Sequence, residues 1–399
     1  MNPLLNLKHL LAALEVQKRG SISAATEPMF LSQPAITQAL SKLERELGAT
    51  IFTRTSKGLY TTEIGKVFLN RAERAIQWLT LLDSVFTRKE KIQRRLYRTI
   101  TTTQLRAFVT VVQCGNYSLA ANKLNLSQPT VHRAVKEMES HCGRPFFQRS
   151  PSGVEPSWQA RQAARYVSLY FSELAQGLDE ITEFVGNASG SLRVGSLPLA
   201  RTRIVPQTIT MLLEEFPSAH VSIIDGAYEE QLDALRHGHL DLIIGALRNP
   251  VPSSDIQQIP LFSDSLHIVV RPGHAIATDT STSVLELQEL EWVAPNENAP
   301  ARAAFVKFFK DHGLKPPEHV IECSSLMATR GLLLESDRAA LLSKKQVEID
   351  VDHGLLAISP RKLAGTDREI GITTRINWKA TKLQARFIAL LSSDLLAEC

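Results

Sequence analysis

The chain is poor in the features that would mark an enzyme, a disulfide-stapled domain or a membrane protein. It has four cysteines, Cys114, Cys142, Cys323 and Cys399, with no CxxC pair among them. That spacing builds neither a disulfide framework nor a zinc site, and buried thiols are expected at Cys114 and Cys142, which fall on apolar helical faces. No run approaches the ~20 apolar residues of a membrane helix. Lys8, His9, Glu15, Lys18 and Arg19 interrupt the apolar N-terminus, which reads as an amphipathic helix rather than a signal peptide. A cytoplasmic protein with no membrane partner is expected. A dinucleotide-binding glycine fingerprint, a P-loop, an HExxH zinc motif and a GxSxG elbow are all missing. His237-Gly238-His239 and Asp352-His353 have no further ligands nearby, so no catalytic residue, metal or cofactor is expected.

What is present is unevenly spread. Residues 1–100 hold 16 Lys and Arg against 8 Asp and Glu, residues 101–185 hold 8 against 7, and residues 186–399 hold 21 against 26. Basic charge concentrated at one end points to a polyanionic partner there, and the rest of the chain need not touch it.

Sliding the sequence by 95 residues reveals an internal repeat. Leu31-Ser32-Gln33-Pro34 falls on Leu126-Ser127-Gln128-Pro129. Leu10, Ala12, Val16, Gly20, Ser23, Ala25, Ala39, Glu44, Gly48, Phe52, Arg54 and Gly58 also meet identical residues. Their mates are Leu105, Ala107, Val111, Gly115, Ser118, Ala120, Ala134, Glu139, Gly143, Phe147, Arg149 and Gly153. Gap-free identity of this density marks a duplicated domain.

Each copy reads as three helices and a wing. Leu10, Leu14 and Val16, or Leu105, Val109 and Val112, give a first helix its buried face, and Gly20 or Gly115 ends it. A short second helix is expected to start at Ser23 or Ser118. Ser32 or Ser127 caps a third helix, with Pro34 or Pro129 in its first turn, where a missing N–H costs nothing. Ile36, Leu40, Leu43 and Leu47 form its core-facing stripe, repeated by Val131, Val135, Met138 and Cys142. A small basic turn follows, Arg54 to Gly58 or Arg149 to Gly153.

With that stripe buried, Gln33, Thr37, Gln38, Ser41, Lys42 and Arg45 face outward in the first copy. Gln128, Thr130, His132, Arg133 and Lys136 do so in the second. Gln and Arg near a helix N-terminus can place paired hydrogen bonds on adenine or guanine edges in the major groove. The hydroxyls of Ser23, Ser32 and Ser127, the helix start at Pro34, and the wing basics Arg54, Lys57 and Arg149 suit phosphate oxygens. Taken alone a polar stripe is a solvated helix face; the repeated cap, stripe and wing point to double-stranded promoter DNA.

Residues 7–65 resemble the DNA-binding domain of LysR-type transcriptional regulators. The resemblance is carried by Leu7-Lys8-His9-Leu10, Gly20-Ser21, Ser23, Ala25, Leu31 to Ile36, Leu43-Glu44, Leu47-Gly48, Phe52, Arg54-Thr55, Gly58, Thr61-Thr62-Glu63 and Gly65. Residues 105–160 resemble the same domain more loosely. One copy per chain is the family's usual arrangement, so the duplication is a departure. Pro28, inside the second helix, is expected to shorten or distort its last turn. Gln38 stands where the family commonly has Arg; His132 replaces a small hydroxyl, and Pro156-Ser157-Trp158 a threonine-rich wing end. The nearly neutral second copy is either a second DNA reader or a dimerisation and spacing element.

The helical segments after each copy, from Lys66 to about Arg98 and from Ala160 to about Phe184, are by this resemblance linker helices that pair subunits in a homo-oligomer. The alternative is packing against their own winged units. The basic run Arg88 to Arg98 is either a solvated linker or a backbone contact. The organisation expected is a winged helix-turn-helix domain over 1–65, a linker helix over 66–100 and a second winged domain over 101–158. A linker helix and hinge follow over 159–189, then an effector-binding domain over 190–399.

Beyond Gly186 to Gly190 the pattern alternates. Strands are expected at Leu192–Gly195, Val221–Ile224, Leu240–Ile244 and His267–Val270, and helices at Val205–Phe216 and Tyr228–His237, an α/β fold with a mainly parallel sheet. Asp241-Leu242-Ile243-Ile244-Gly245, Phe262-Ser263-Asp264 and Pro272-Gly273-His274 resemble the family's effector domain. That implies two lobes of the type-2 periplasmic-binding-protein kind, 190–265 with 370–399 and 266–369, around a cleft. Gly195 to Pro198 and Arg368 to Arg375 look closest to the galactose-binding-protein-regulator subgroup. Ligands of open α/β sheets bind beyond strand carboxyl ends, at helix N-termini. Ser196, Leu197, Pro198, Arg201, Thr202, Gly245, Ala246, Ser324, Ser325, Thr373 and Thr374 are therefore candidates for holding a small organic effector, a sugar or a carboxylate. The sum is an α/β multidomain protein, two α-rich winged helix-turn-helix units plus a two-lobed α/β domain. It reads as an effector-responsive DNA-binding regulator with RNA polymerase as a further partner, not an enzyme.

Overall fold

The computed structural model describes residues 4–55, 58–86 and 95–397, the last five by backbone only. Lys57 of the first wing, residues 88–94 of the basic run and Cys399 lie outside the described residues. The chain divides into two compact units, Met1–Ser191 with His237–His239, and Leu192–Arg236 with Leu240–Cys399.

In the first unit, α1 (Leu7–Arg19), α2 (Ile22–Met29), α3 (Gln33–Leu47) and the hairpin β1 (Phe52–Thr55) and β2 (Gly58–Thr61) lead into a long helix, α4 (Glu63–Phe86). The order then repeats as α5 (Thr102–Cys114), α6 (Tyr117–Leu124), α7 (Gln128–Cys142), β3 (Phe147–Ser150), β4 (Gly153–Pro156) and α8 (Trp158–Phe184). The repeated identities have structural causes. Gly20, Gly48, Gly115 and Gly143 end their helices at φ 66°, 65°, 61° and 69°, a conformation that side chains disfavour. Ser32 Oγ accepts from the Ala35 N–H and Ser127 Oγ from the Thr130 N–H. The Glu44 carboxylate accepts from the N–H groups of Ile51 and Phe52 at 2.8 and 3.1 Å, and Glu139 from Phe146 at 2.7 Å. The shared glutamate thus ties the third helix to the root of each wing.

Two expectations about the second helix need correction. It starts at Ile22 and Tyr117, capped by Ser21 and Asn116, so Ser23 and Ser118 sit inside the first turn. Pro28 does not shorten it: α2 and α6 have the same length and end at repeat mates. So near the helix end a proline removes only a terminal hydrogen bond.

One continuous hydrophobic cluster runs through both winged units and both long helices. Helix α4 packs along α8, so the two linker helices pair with each other inside one chain. Arg71, 1% exposed, lies in that seam. Its Nε and Nη2 donate to Glu180 at 3.0 and 2.7 Å, and its Nη1 donates to Glu173 at 3.1 Å and to Gln176 at 2.9 Å. Arg74 also reaches Glu173, at 2.9 Å.

The second unit contains β5 (Ser189–Ser196), α9 (Pro198–Arg201), α10 (Ile204–Glu215), β6 (Ser218–Ile224), α11 (Tyr228–Arg236), β7 (Leu242–Ala246), β8 (Ile256–Asp264) and β9 (Leu266–Val270). It continues through α12 (Val284–Gln288), β10 (Trp292–Ala294), α13 (Pro300–Asp311), β11 (Val320–Glu322), α14 (Leu326–Leu334), β12 (Ala339–Ser343), α15 (Lys344–Asp352) and β13 (Ala357–Ile358), and ends with β14 (Arg368–Arg375) and α16 (Lys382–Ala397). Two five-stranded sheets result, ordered β6-β5-β7-β14-β8 and β11-β10-β12-β9-β13, each with its own core.

Both sheets are mixed rather than mainly parallel. β5 runs parallel to β7, but β14 returns from the other lobe and lies antiparallel to β7 and β8. β10 runs parallel to β11 and β12, while β9 is antiparallel to β12 and β13. The chain passes between lobes twice, and both crossings are tied. Asp264 accepts from Ser343 Oγ at 2.5 Å and from Arg368 Nη2 at 2.7 Å, and Ser265 Oγ donates to Asp367 at 2.5 Å.

Candidate nucleic-acid interface and ligand pocket

The outward faces of α3 and α7 are open. Ser23, Ser32, Gln33, Pro34, Gln38, Ser41 and Arg54 are exposed, and Thr37 and Lys42 half-buried. In the second copy Ser127, Gln128, His132, Arg133, Lys136 and Arg149 are exposed and Thr130 is half-buried. Beneath them Ile36, Leu40, Leu43 and Leu47, and Val131, Val135, Met138 and Cys142, are buried as their period requires. Burial pushes the Cys142 thiol up to about 12, consistent with an inert core cysteine.

The two faces are not equally free. Thr37 Oγ1 donates to the Gln33 carbonyl at 3.0 Å, and its oxygen can still accept. In α7, Thr130 and Ser127 share a hydroxyl hydrogen bond of 2.7 Å, Lys136 pairs with Glu139 at 2.6 Å, and the His132 ring lies 5.2 Å from that of Tyr117. One residue escaped the sequence reading. Phe30, just before α3, is 89% exposed at φ 53°, where the second copy has Asn125 at φ 54°. Nothing in hydrophobic periodicity reveals an aromatic held outside the core in a left-handed turn.

In the second unit a cavity of about 200 Å³ lies between the lobes, lined by Leu197, Pro198, Tyr228, Ala246, Arg248 and Arg368 on one side and by Asn296, Ala299, Ser324 and Gln346 on the other. The Arg248 guanidinium sits 4.1 Å from the centre of the Tyr228 ring, and its Nη1 donates to the Ala246 carbonyl at 3.3 Å. Burial pulls its pKa below the ordinary guanidinium value, and among the described residues it forms no ion pair. The Tyr228 hydroxyl and Arg368 Nε are buried without a hydrogen-bond partner. The starts of α11, α13 and α14 also reach the lining. In the first turn of α13 Pro300 has no N–H, and the N–H groups of Arg302 and Ala303 bond the Ala299 carbonyl at 2.9 and 3.2 Å.

Comparison with known proteins decides the affiliation. Residues 186–395 match the LysR substrate binding domain, and residues 7–66 and 102–161 each match the bacterial regulatory helix-turn-helix protein, lysR family. The chain belongs to the LysR family. It is 31% identical over 370 residues to the HTH-type transcriptional regulator GalR of Pseudomonas putida, spanning 93% of this chain and 92% of that protein. The HTH-type transcriptional regulator PcaQ of Agrobacterium fabrum is 28% identical, over 68% of this chain and 87% of its own length. A full-length OxyR variant from Pseudomonas aeruginosa shares the fold, with a TM-score of 0.53 at 23% identity, over 73% of this chain and 93% of that one. This LysR protein is therefore a DNA-binding transcriptional regulator with an effector-binding domain, and its relatives are regulators rather than enzymes.

Of the residues expected in the LysR effector site, Leu197, Pro198, Ala246 and Ser324 line the cavity. The others lie outside that lining. Ser196 is fully buried and its carbonyl accepts from Arg201 Nε at 2.9 Å. Thr202 Oγ1 donates across the lobes to the Lys345 carbonyl at 3.2 Å. A side chain at Gly245 would meet Leu197 Cβ at 2.5 Å, so that glycine lets the α9 turn close over β7. Ser325 caps α14. Thr373 and Thr374 are buried within β14, where Thr374 Oγ1 accepts from Gln257 at 3.1 Å. The sequence reading missed Tyr228, Arg248, Asn296, Gln346 and Arg368. Arg248 was within reach of it, two residues beyond the carboxyl end of β7, where the switch-point rule places ligands.

Proposed function

We propose that this regulator reads promoter DNA with the exposed face of α3 and responds to a small organic acid held between the lobes of its effector domain. Gln33 and Gln38 address base edges, Thr37 and Ser41 add hydroxyl contacts, and Ser23, Ser32, Pro34, Lys42, Arg54 and Lys57 serve the phosphate backbone. The observation that carries the effector class is Arg248, a half-buried guanidinium on the cavity wall that forms no ion pair among the described residues, Glu229 of the same lining acting on it only through its field. A bound carboxylate would give that guanidinium a charge-assisted hydrogen-bond partner. The free Tyr228 hydroxyl and Arg368 Nε supply hydrogen bonds for the remaining oxygens, and Leu197, Pro198 and Ala246 an apolar floor. A carboxylate fits this set better than a neutral sugar does.

Effector closing the lobes would change the geometry between chains of a homo-oligomer, and so promoter bending or contact with RNA polymerase. The cytoplasm is the compartment where these partners meet; among the described residues no helix is long and apolar enough to cross a membrane. A thermal-shift screen of small mono- and dicarboxylates against neutral sugars tests the effector class. A carboxylate should raise Tm in the wild type and not in Arg248→Ala. A sugar that stabilises both proteins equally refutes the assignment. For the DNA face, Gln33→Ala should weaken the specific gel-shift complex about tenfold at fixed salt; unchanged affinity removes Gln33 from the contact set.

A further inference from the structure

We infer that the tandem winged units form an internal twofold pair, and that one chain reads a single duplex site of two dissimilar halves, α3 on one half and α7 on the other. This rests on the DNA-reading role proposed for α3 and extends it to α7. Symmetric association leaves a signature. If residue i of one copy touches residue j of the other, then j of the first touches i of the second, and residues on the axis touch their own mates.

Both marks are present. Under the 95-residue offset Leu7 and Thr102 are mates; the Leu7 N–H donates to Thr102 Oγ1 at 2.8 Å, and that hydroxyl donates to the Leu5 carbonyl at 3.0 Å. Helices α4 and α8 begin at mates, Glu63 and Trp158. Along them Arg71 is the mate of Tyr166, and Trp78 of Glu173. Arg71 binds Glu173 at 3.1 Å, and Trp78 stacks on Tyr166 with ring centres 6.3 Å apart. These are one contact and its exchange image, an ion pair in the first and an aromatic pair in the second. The duplication has folded face to face, not as beads on a string, and the exchange that carries Arg71 onto Tyr166 carries α3 onto α7.

A duplex has a local twofold of its own, and paired reading helices meet it at half-sites about one helical turn, or a multiple, apart. Gln33 and Gln128 are the same residue at the same place on the two helices. Thr37 faces His132 in the alignment, Gln38 faces Arg133, Ser41 faces Lys136 and Lys42 faces Glu137. Gln favours adenine and Arg favours guanine, so the two halves of the site differ in sequence. One chain then supplies a complete bipartite reader.

The test is selection of duplexes from a random pool by the purified full-length protein, repeated with Gln38→Ala and Arg133→Ala. Both positions are exposed, and circular-dichroism melts verify that each variant folds. The expected consensus has two unlike halves at fixed spacing. Gln38→Ala should blur one half and Arg133→Ala the other, each weakening binding to the wild-type site about tenfold. The double variant Thr37→His with Gln38→Arg should select a more symmetric site. A consensus that responds to Gln38→Ala and ignores Arg133→Ala overturns the inference and leaves α3 as a reader. Two identical halves, both blurred by Gln38→Ala, also overturn it, because two chains would then each contribute α3. A pool that enriches nothing refutes α3 reading and the inference together.

Discussion

The two winged units keep the same skeleton under different skins. Where they agree, the shared residue holds backbone: Gly20 and Gly115, Gly48 and Gly143 at helix ends, Ser32 and Ser127 as caps, Glu44 and Glu139 at the wing root. Where they differ in the core, one apolar side chain replaces another, as Val131 does Ile36 and Met138 does Leu43; changes of chemical character fall on the reading face and in the seam between α4 and α8. Duplicated copies of a domain are freest to change polarity on surfaces that meet a partner, while the core accepts only apolar exchanges. The seam shows the same freedom in another form, since one contact is an ion pair and its image is a pair of rings.

The seam offers the largest test. Arg71 is buried and pairs with both Glu173 and Glu180, Glu173 being shared with Arg74. Arg71→Leu leaves Glu180 without its cation and Glu173 with Arg74 alone, and breaking a buried ion pair this way costs about 3–5 kcal/mol. Because one core joins both units, they should unfold together at lower denaturant in this variant. A first winged unit that melts alone, with the second unaffected, contradicts the shared core.

The wing roots come next. Glu44→Ala strands the N–H groups of Ile51 and Phe52, and Glu139→Ala that of Phe146, at a cost of about 1–3 kcal/mol for a buried donor. Glu139 is the more buried and also holds Lys136, so its loss should be the larger in urea melts. Equal or reversed effects mean that the two wings are anchored by different means. Ser32→Ala and Ser127→Ala are smaller, about 1 kcal/mol each for a lost cap. They should match closely in thermal melts, while only variants at differing positions such as Gln38 and Arg133 alter which duplex is preferred.

This division between skeleton and skin also explains what could be read from sequence. The repeat, the caps and the core stripe of α3 were legible because they are local and periodic, and hydrophobic burial at i, i+4 and i+7 leaves a visible pattern. The antiparallel return of β14 was not, since its neighbours β7 and β8 are distant in sequence and nothing along the strand states its direction. The pocket was half legible. Leu197, Pro198, Ala246 and Ser324 follow strand ends, as the rule for open sheets requires. Arg248 and Tyr228 become a site only when folding brings a cation over a ring, and Thr202, Thr373 and Thr374 look polar enough for a ligand while serving backbone and sheet.

The smallest effect tests a place where the two copies share a left-handed backbone but fill it with different residues. Phe30 holds φ 53° at the end of α2, where its mate Asn125 holds φ 54°. Asn tolerates that region far better than a bulky side chain does, and Phe30, 89% exposed, gains little from packing in return. On stability alone Phe30→Asn should therefore raise the unfolding free energy by roughly 0.5–1 kcal/mol, a part of the ~1–2 kcal/mol that the left-handed region costs an ordinary side chain. If the melt instead shows a loss, the ring has packing in solution that its exposure does not indicate. If stability rises while affinity for the selected duplex falls, the aromatic is retained for contact with DNA beside the start of α3, a role that Asn125 does not share.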